Sequence, residues 1–395
     1  MSVAPEDFDA TAPEEWGTAH AQMRELRATC PVAHSDAFRG FWLLTKYEDI
    51  ASALHEPEMF VTSVQNVVPK VAFTGRRPPL HLDPPEHTPY RSALNPFFTR
   101  SKVDELRPYM RDCVVRLLDP LIDAGPIDFC TDFAHALPGL IFARFFNLPL
   151  ERAMAIREVT KGYTAALNSF SDEIVKRASL ELYEIARAMI EERKANPMPV
   201  ADDPTSALLA ASWEGEPLPE DMILGTLRQF IVVGMVDPIV FLGSVLVHLS
   251  EHPEVHAQLR DDRVLIPAAV QEYLRLFTPY RGFARTAKHD VEIRGRNIPA
   301  DEPIAFAYAS ANRDEDMFPN PDEFVLDRPN IGRHLAFGGG AHRCAGAPLA
   351  TEIIQITLEE LVTRVAAIEL VGGIRMSGWP EIGTLSVPAL LRSEA

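Results

Sequence analysis

From Pro219 to Ser250 the chain carries a single helical pattern of unusual length, mostly apolar, with Asp237 and Pro238 at its middle. A helix of that length and character has to cross a large core, because an apolar surface that long is stable only when other elements cover it. The most apolar window, about 230 to 247, is interrupted by Asp237 and Pro238 and is followed by His248, so it reads as a buried helix and not a membrane span. A 395-residue chain that is 47% hydrophobic has enough apolar material for such a core.

The rest of the chain reads mainly as helix. "FWLLTKYEDIASALHE" suggests a short strand and then a helix, and helical patterns follow the Pro-rich "RRPPLHLDPPEHTP" at about 86 to 98, 101 to 124 and 128 to 146. More lie near 150 to 168 and 172 to 195, and "NPMPVADDPTS" reads as a loop. After the long helix come shorter ones at about 252 to 260 and 264 to 276. Alternation in "FARTAKHDVEIRGRNIPADEPIAFAYAS" signals sheet, and "TEIIQITLEELVTRV" returns to helix. No repeat, low-complexity tract or domain-dividing linker is found, so the expectation is one mainly α domain with minor β, preceded by a polar arm over residues 1–20.

Charge narrows the function. The formal net charge of −18 argues against coating nucleic acid and favours solubility. The first twenty residues lack a basic region followed by an apolar one, so they read as no secretion signal, and the expected location is the cytoplasm. Cysteines stand at 30, 113, 130 and 344 with no C-x-x-C pairing, so each has to be judged alone.

One of them is unusual. In "HLAFGGGAHRCAGAP", residues 334 to 348, Gly338, Gly339 and Gly340 permit a backbone path closed to side chains, and Gly346 permits close approach at the following helix start. Peptide N–H groups and that helix N-terminus would stabilise a thiolate at Cys344. A lone cysteine is wrong for structural zinc or an iron–sulfur cluster, whereas one thiolate suffices for the axial position of haem iron. The other reading of the same residues is a buried cysteine in a glycine-rich turn.

The full pattern F-G-x-G-x-H-x-C-x-G, filled by Phe337, Gly338, Gly340, His342, Cys344 and Gly346, resembles the haem-binding loop of the cytochrome P-450 superfamily. The resemblance extends over nearly the whole chain and implies that residues 21–395 form one haem domain, with haem b between the long helix and the cysteine loop. In that family a buried Glu–Arg pair is joined by a second arginine, here Glu272 and Arg275 in "EYLR" and Arg328 in "FVLDRPN". Alone, the first two are an ordinary pair one helical turn apart. The resemblance also implies partners for the haem propionates: His87 and Arg91 in "HTPYR", Arg285 in "GFARTA", and His334, with His342 a weaker fifth.

The long helix departs from the family. Where relatives carry small-Gly-x-acid-Thr, this chain reads Gly234, Met235, Val236, Asp237, Pro238. Proline has no N–H, so the Gly234 carbonyl four residues back loses its helical partner, and the missing hydroxyl leaves proton delivery to Asp237, water or the substrate. A simple kink in a core helix is the alternative reading of Pro238. By resemblance the substrate pocket draws on "VTSVQNVVPKVAF", "GYTAALNSFSD", Val233, Met235 and the strand after Tyr280, all mainly apolar, which suits a small hydrophobic molecule. Arg281 reads as a solvated arginine or as a partner for a substrate carboxylate.

The implied activity is a monooxygenase that takes O2 and inserts one oxygen atom into a substrate C–H bond, by hydroxylation or oxidative demethylation. Its electrons would come from a ferredoxin or flavodoxin with an NAD(P)H-dependent reductase, docking near Arg100, Lys102 and Arg343. A peroxide-driven oxygenase or peroxidase of the same fold and a non-catalytic haem sensor remain as alternatives.

Overall fold

The computed structural model describes residues 6–394 apart from 72, 168–170, 235 and 236. Its helices in chain order are α1 (Ala21–Thr29), α2 (Tyr47–Leu54), α3 (Thr88–Leu94), α4 (Arg100–Leu118), α5 (Leu137–Phe145), α6 (Leu150–Leu167) and α7 (Asp172–Ala195). There follow α8 (Pro204–Ala210), α9 (Glu220–Val233), α10 (Asp237–Glu251), α11 (Pro253–Asp261), α12 (Ile266–Leu276), α13 (Tyr308–Ala311) and α14 (Ala347–Arg364). The mainly helical reading stands, and the fold is α with a minor β part. Helix α8 lies partly in the stretch expected to be loop: Pro204 at its start supplies a preset φ for the first turn, and Thr205 to Leu208 are buried.

The elements gather into two compact units, each assembled from separate stretches of chain. One comprises the chain up to Lys70, Pro267–Cys344 and Ile374–Leu385; the other comprises Val71–Ile266, Ala345–Gly373 and the C-terminus from Ser386. Because each is discontinuous, no linker separates them in sequence.

In the first unit a five-stranded sheet runs in the order Val32–Ser35, Phe41–Leu44, Pro303–Phe306, Phe283–Ala287, Phe60–Val61. Ile304 pairs with Arg285 and Phe306 with Phe283 in antiparallel register. One face of the sheet packs with α2 through Leu44, Ile50, Phe60, Phe306 and Phe318. Residues expected to be a polar arm are docked here: Phe8, Ala10 and Ala19 are buried, and Glu14 forms an ion pair with Arg281. The segment is polar in composition, but its few apolar side chains find the sheet, Phe8 packing edge-on against Phe41.

The second unit is mainly helical and carries a three-stranded sheet in the order Ala367–Leu370, Pro388–Arg392, Ile127–Asp128. Its core combines Phe98, Phe142, Phe146, Leu182, Met189, Leu227 and Ile231 from α4's approach, α5, α7 and α9. The long helical pattern is described as α9 up to Val233, with Gly234 as its cap residue, and as α10 from Asp237, with 235 and 236 outside the described residues. Pro238 is the second residue of α10 as described and is half-buried. By length and composition the stretch Glu220–Glu251 is apolar enough to cross a membrane, yet 69% of its most apolar window is buried inside the protein. Ile223, Leu227, Ile231, Val240, Val245 and Leu249 are core side chains, which accounts for the hydropathy.

Candidate functional site

The cysteine loop is built by its glycines. Gly338 and Gly340 take positive φ values of 64° and 61°, and a Cβ on Gly340 would lie 2.0 Å from the Leu54 carbonyl oxygen. Glycine at 340 is therefore required twice, by the left-handed backbone and by the contact with the end of α2. The loop closes on itself through the Cys344 N–H, which donates to the Phe337 carbonyl at 2.9 Å. Of the four cysteines, Cys113 and Cys130 are buried and Cys30 is partly so, while Cys344 is exposed. Gly346 caps α14 with an ordinary φ of −77°, so the helix start uses no special glycine conformation there. Arg107 and Arg111 of α4 pair with Glu352, Glu359 and Glu360 along α14, holding the helix that follows the loop.

Glu272, Arg275 and Arg328 lie together. Their side chains are at most 3% exposed. Arg275 grips the Glu272 carboxylate with Nε at 2.9 Å and Nη2 at 2.7 Å, and Arg328 Nε adds 3.0 Å. The remaining N–H groups go to backbone carbonyls of Asn312, Pro321, Glu323, Pro319 and Asn320. Two guanidiniums on one carboxylate would be costly in the interior, and this saturation of donors offsets the desolvation. The trio ties α12 to the chain between Asn312 and Arg328 that leads into the cysteine loop.

His334 is engaged through both ring nitrogens. Its Nδ1 accepts from the Ala336 N–H at 3.2 Å, so Nε2 carries the proton and donates to Gln271 Oε1 at 3.1 Å. Burial, with Arg343 and Arg275 nearby, pushes its pKa down to about 4. A neutral imidazole with both nitrogens engaged braces the loop and is not a cation for a carboxylate. His342 Nε2 lies 3.5 Å from Thr62 Oγ1.

Arg285 sits in the sheet, 5% exposed, over the Phe306 ring. Its Nη1 donates to the Ala284 carbonyl at 2.9 Å, and among the described residues no carboxylate reaches it. A buried guanidinium without a counter-ion is a place built for an anion, since isolated buried charge is strongly disfavoured. One thiol on a glycine-shaped loop and one orphaned buried cation are the donor set that an iron porphyrin with acidic side arms requires.

In the second unit, His87 caps α3 and is buried, and Arg91 lies one turn on and half-buried. The spacing puts both on one helix face, while Tyr90 and Leu94 enter the core. Val233 and Gly234 are exposed at the end of α9. Met235 and Val236 lie outside the described residues. Asp237 is half-buried, and desolvation lifts its carboxyl to about 7.

One expected surface role is changed. Arg281 is neither solvated nor open to substrate, because it is buried under Trp379 and paired with Glu14. Arg100 pairs with Asp104 and Glu352, and Lys102 with Glu105. Missed altogether were Arg77 and Arg228, buried in the second unit. The only signal was the odd arginine within an apolar stretch of α9.

The family model described as Cytochrome P450 matches residues 16–366. A cyclomarin C epoxidase of Salinispora arenicola is 31% identical over 89% of this chain and 90% of its own length. A nocardicin C N-oxygenase of Nocardia uniformis is 33% identical over 89% of this chain and 87% of its own. Among solved structures, cytochrome P450 CYP109Q5 from Chondromyces apiculatus superposes with a TM-score of 0.86 at 30% identity, covering 98% of both chains. The chain belongs to the cytochrome P-450 family and is a monooxygenase whose cofactor is haem.

Proposed function

We propose that Cys344 is the thiolate ligand of the haem iron and that Arg285, His87 and Arg91 neutralise the propionates. Residues 21–395 then act as the haem domain. The single observation that carries this is the cysteine loop, in which a closed glycine turn presents an exposed Cys344 while the other three cysteines are wholly or partly buried. Bound haem supplies O2 activation and oxygen insertion, and thiolate donation favours O–O cleavage.

The chain's own residues do the rest. The Glu272–Arg275–Arg328 trio and the His334–Gln271 contact hold the loop that presents Cys344. Asp237, with a carboxyl that titrates near neutrality, is the proton carrier, because a group poised near the working pH both accepts and donates. The substrate is a small, mainly hydrophobic organic molecule. Relatives named for epoxidation and N-oxygenation support oxygen insertion into an organic substrate and leave its identity open. Electrons come from a separate ferredoxin or flavodoxin with an NAD(P)H-dependent reductase, in the cytoplasm, with Arg343 as the exposed cation nearest the sulfur in sequence.

The test is Cys344→Ala, expressed with haem supplied and reduced under carbon monoxide. Loss of the thiolate-type Soret band is expected, and an unchanged band overturns the assignment. A library screen for spin-state change in the ferric protein then finds the substrate.

A further inference from the structure

Among the described residues nine arginines are 7% exposed or less. Six face a carboxylate: Arg27 with Glu315, Arg193 with Asp203, Arg275 and Arg328 with Glu272, Arg281 with Glu14, and Arg313 with Asp322. Among the described residues, Arg77, Arg228 and Arg285 have none. Arg285 is taken up by the haem assignment above, which leaves a pair.

Arg77 and Arg228 are near neighbours within the second unit, 6% and 0% exposed. Burial and the field of Arg228 hold Arg77 below its ordinary pKa, so the two guanidiniums repel each other. The arrangement is fixed by backbone. A Cβ on Gly225 of α9 would lie 1.9 Å from the Arg76 carbonyl oxygen, so the loop bearing Arg77 is pressed directly onto the helix bearing Arg228. Arg228 stacks on Tyr163 of α6 at 4.6 Å and donates from Nη2 to Ser179 Oγ of α7 at 2.9 Å. Tyr163 and Tyr183 lie close enough to Arg77 to oppose its shift in part. These contacts satisfy one guanidinium in part but do not neutralise two. Arg77 Nε, Arg228 Nε and the Tyr183 hydroxyl are all buried and have no hydrogen-bond partner among the described residues. In a protein with 56 acidic side chains and a net charge of −18, two adjacent buried cations without an acid are an exception that asks for a ligand.

We propose that Arg77 and Arg228, with Tyr183, bind a carboxylate carried by the organic substrate. Two unpartnered Nε–H groups and one hydroxyl match an anion with two oxygens, whereas a phosphate would leave oxygens unmet in a buried site. Arg228 precedes Gly234 by six residues, which is about 9 Å along a helix axis. A molecule anchored at Arg228 reaches the end of α9 with a mainly hydrophobic body of that length. This rests on the reading of the chain as an oxygenase of an organic substrate, and it refines the substrate class to amphipathic acids.

The experiment uses the haem-loaded protein at constant ionic strength. Hexanoate, dodecanoate and benzoate are each titrated against the corresponding amide, and sodium phosphate is titrated separately, with thermal midpoint and the ferric Soret band as readouts. At least one acid is expected to bind tenfold or more tightly than its amide, to shift both readouts, and to lose that preference in Arg77→Gln and Tyr183→Phe. Equal affinity for acids and amides across the panel overturns the proposal, as does an acid preference that survives Arg77→Gln. Phosphate binding that displaces no acid and exceeds every acid also overturns it, marking an inorganic anion site. Should the variants fail to fold, the acid-against-amide comparison in the unaltered protein still decides. The carbonyl spectrum of each sample separates these outcomes from failure of the haem assignment, since a normal thiolate band with no acid preference sinks only the carboxylate site.

Discussion

Arg285 and Asp237 illustrate how burial gives ordinary residues unusual work. Arg285 carries its charge into a sheet where no described acid meets it, so its stability in place depends on an anion. Arg285→Ala is therefore expected to weaken haem retention by about 3–5 kcal/mol, read as faster transfer of haem to apomyoglobin. Retention equal to wild type would remove Arg285 from the site. Asp237 has a folded pKa of about 7 against an ordinary 3.8. The folded state therefore holds a proton that the unfolded chain releases. The stability this gives is full below pH 3.8 and is lost as pH rises through 7. Between pH 5.5 and pH 8 the loss is roughly 2 kcal/mol. Asp237→Asn should flatten that slope in denaturant melts at the two pH values, and it should lower O2-driven turnover on the order of a hundredfold. A slope that persists in the asparagine variant assigns the titration to another group.

At the scale of elements, the junction of α9 and α10 matters most. Replacing Pro238 by threonine restores a backbone N–H and adds a hydroxyl able to bond a carbonyl one turn back. Pro238→Thr is expected to raise product formed per nicotinamide consumed and to lower peroxide-driven turnover, because an added proton donor favours the O2 cycle. Coupling that does not move means the protons travel by another path. The backbone course at Asp237 and Pro238 was not legible in the sequence, since proline is tolerated both at a kink and at a helix start. The cysteine loop was the opposite case. Its glycines declare positive φ and a close approach, and Gly338 and Gly340 have them.

The whole molecule is held partly by segments remote in sequence. Residues 6–20, polar on average, bury Phe8 and neutralise Arg281 through Glu14. Removing the first 20 residues strands a buried cation, so a loss of about 3 kcal/mol and a fall of several degrees in thermal midpoint are expected. Glu14→Gln should reproduce most of it, because the charge and not the arm's length is what Arg281 needs. A truncated protein that melts with the full chain would show the arm to be passive.

Sequence alone determined the helix-rich class, the glycine-shaped cysteine loop and the pairing of Glu272 with Arg275, because these depend on local period, backbone freedom and residues one turn apart. Tertiary structure decided which charges are neutralised. Arg281 found Glu14, 267 residues away, His334 gave both nitrogens to neighbours, and Arg77 and Arg228 were left together without an acid. Coulomb energy depends on distance in space and on how much water is excluded, and neither quantity is written in the order of residues along a chain.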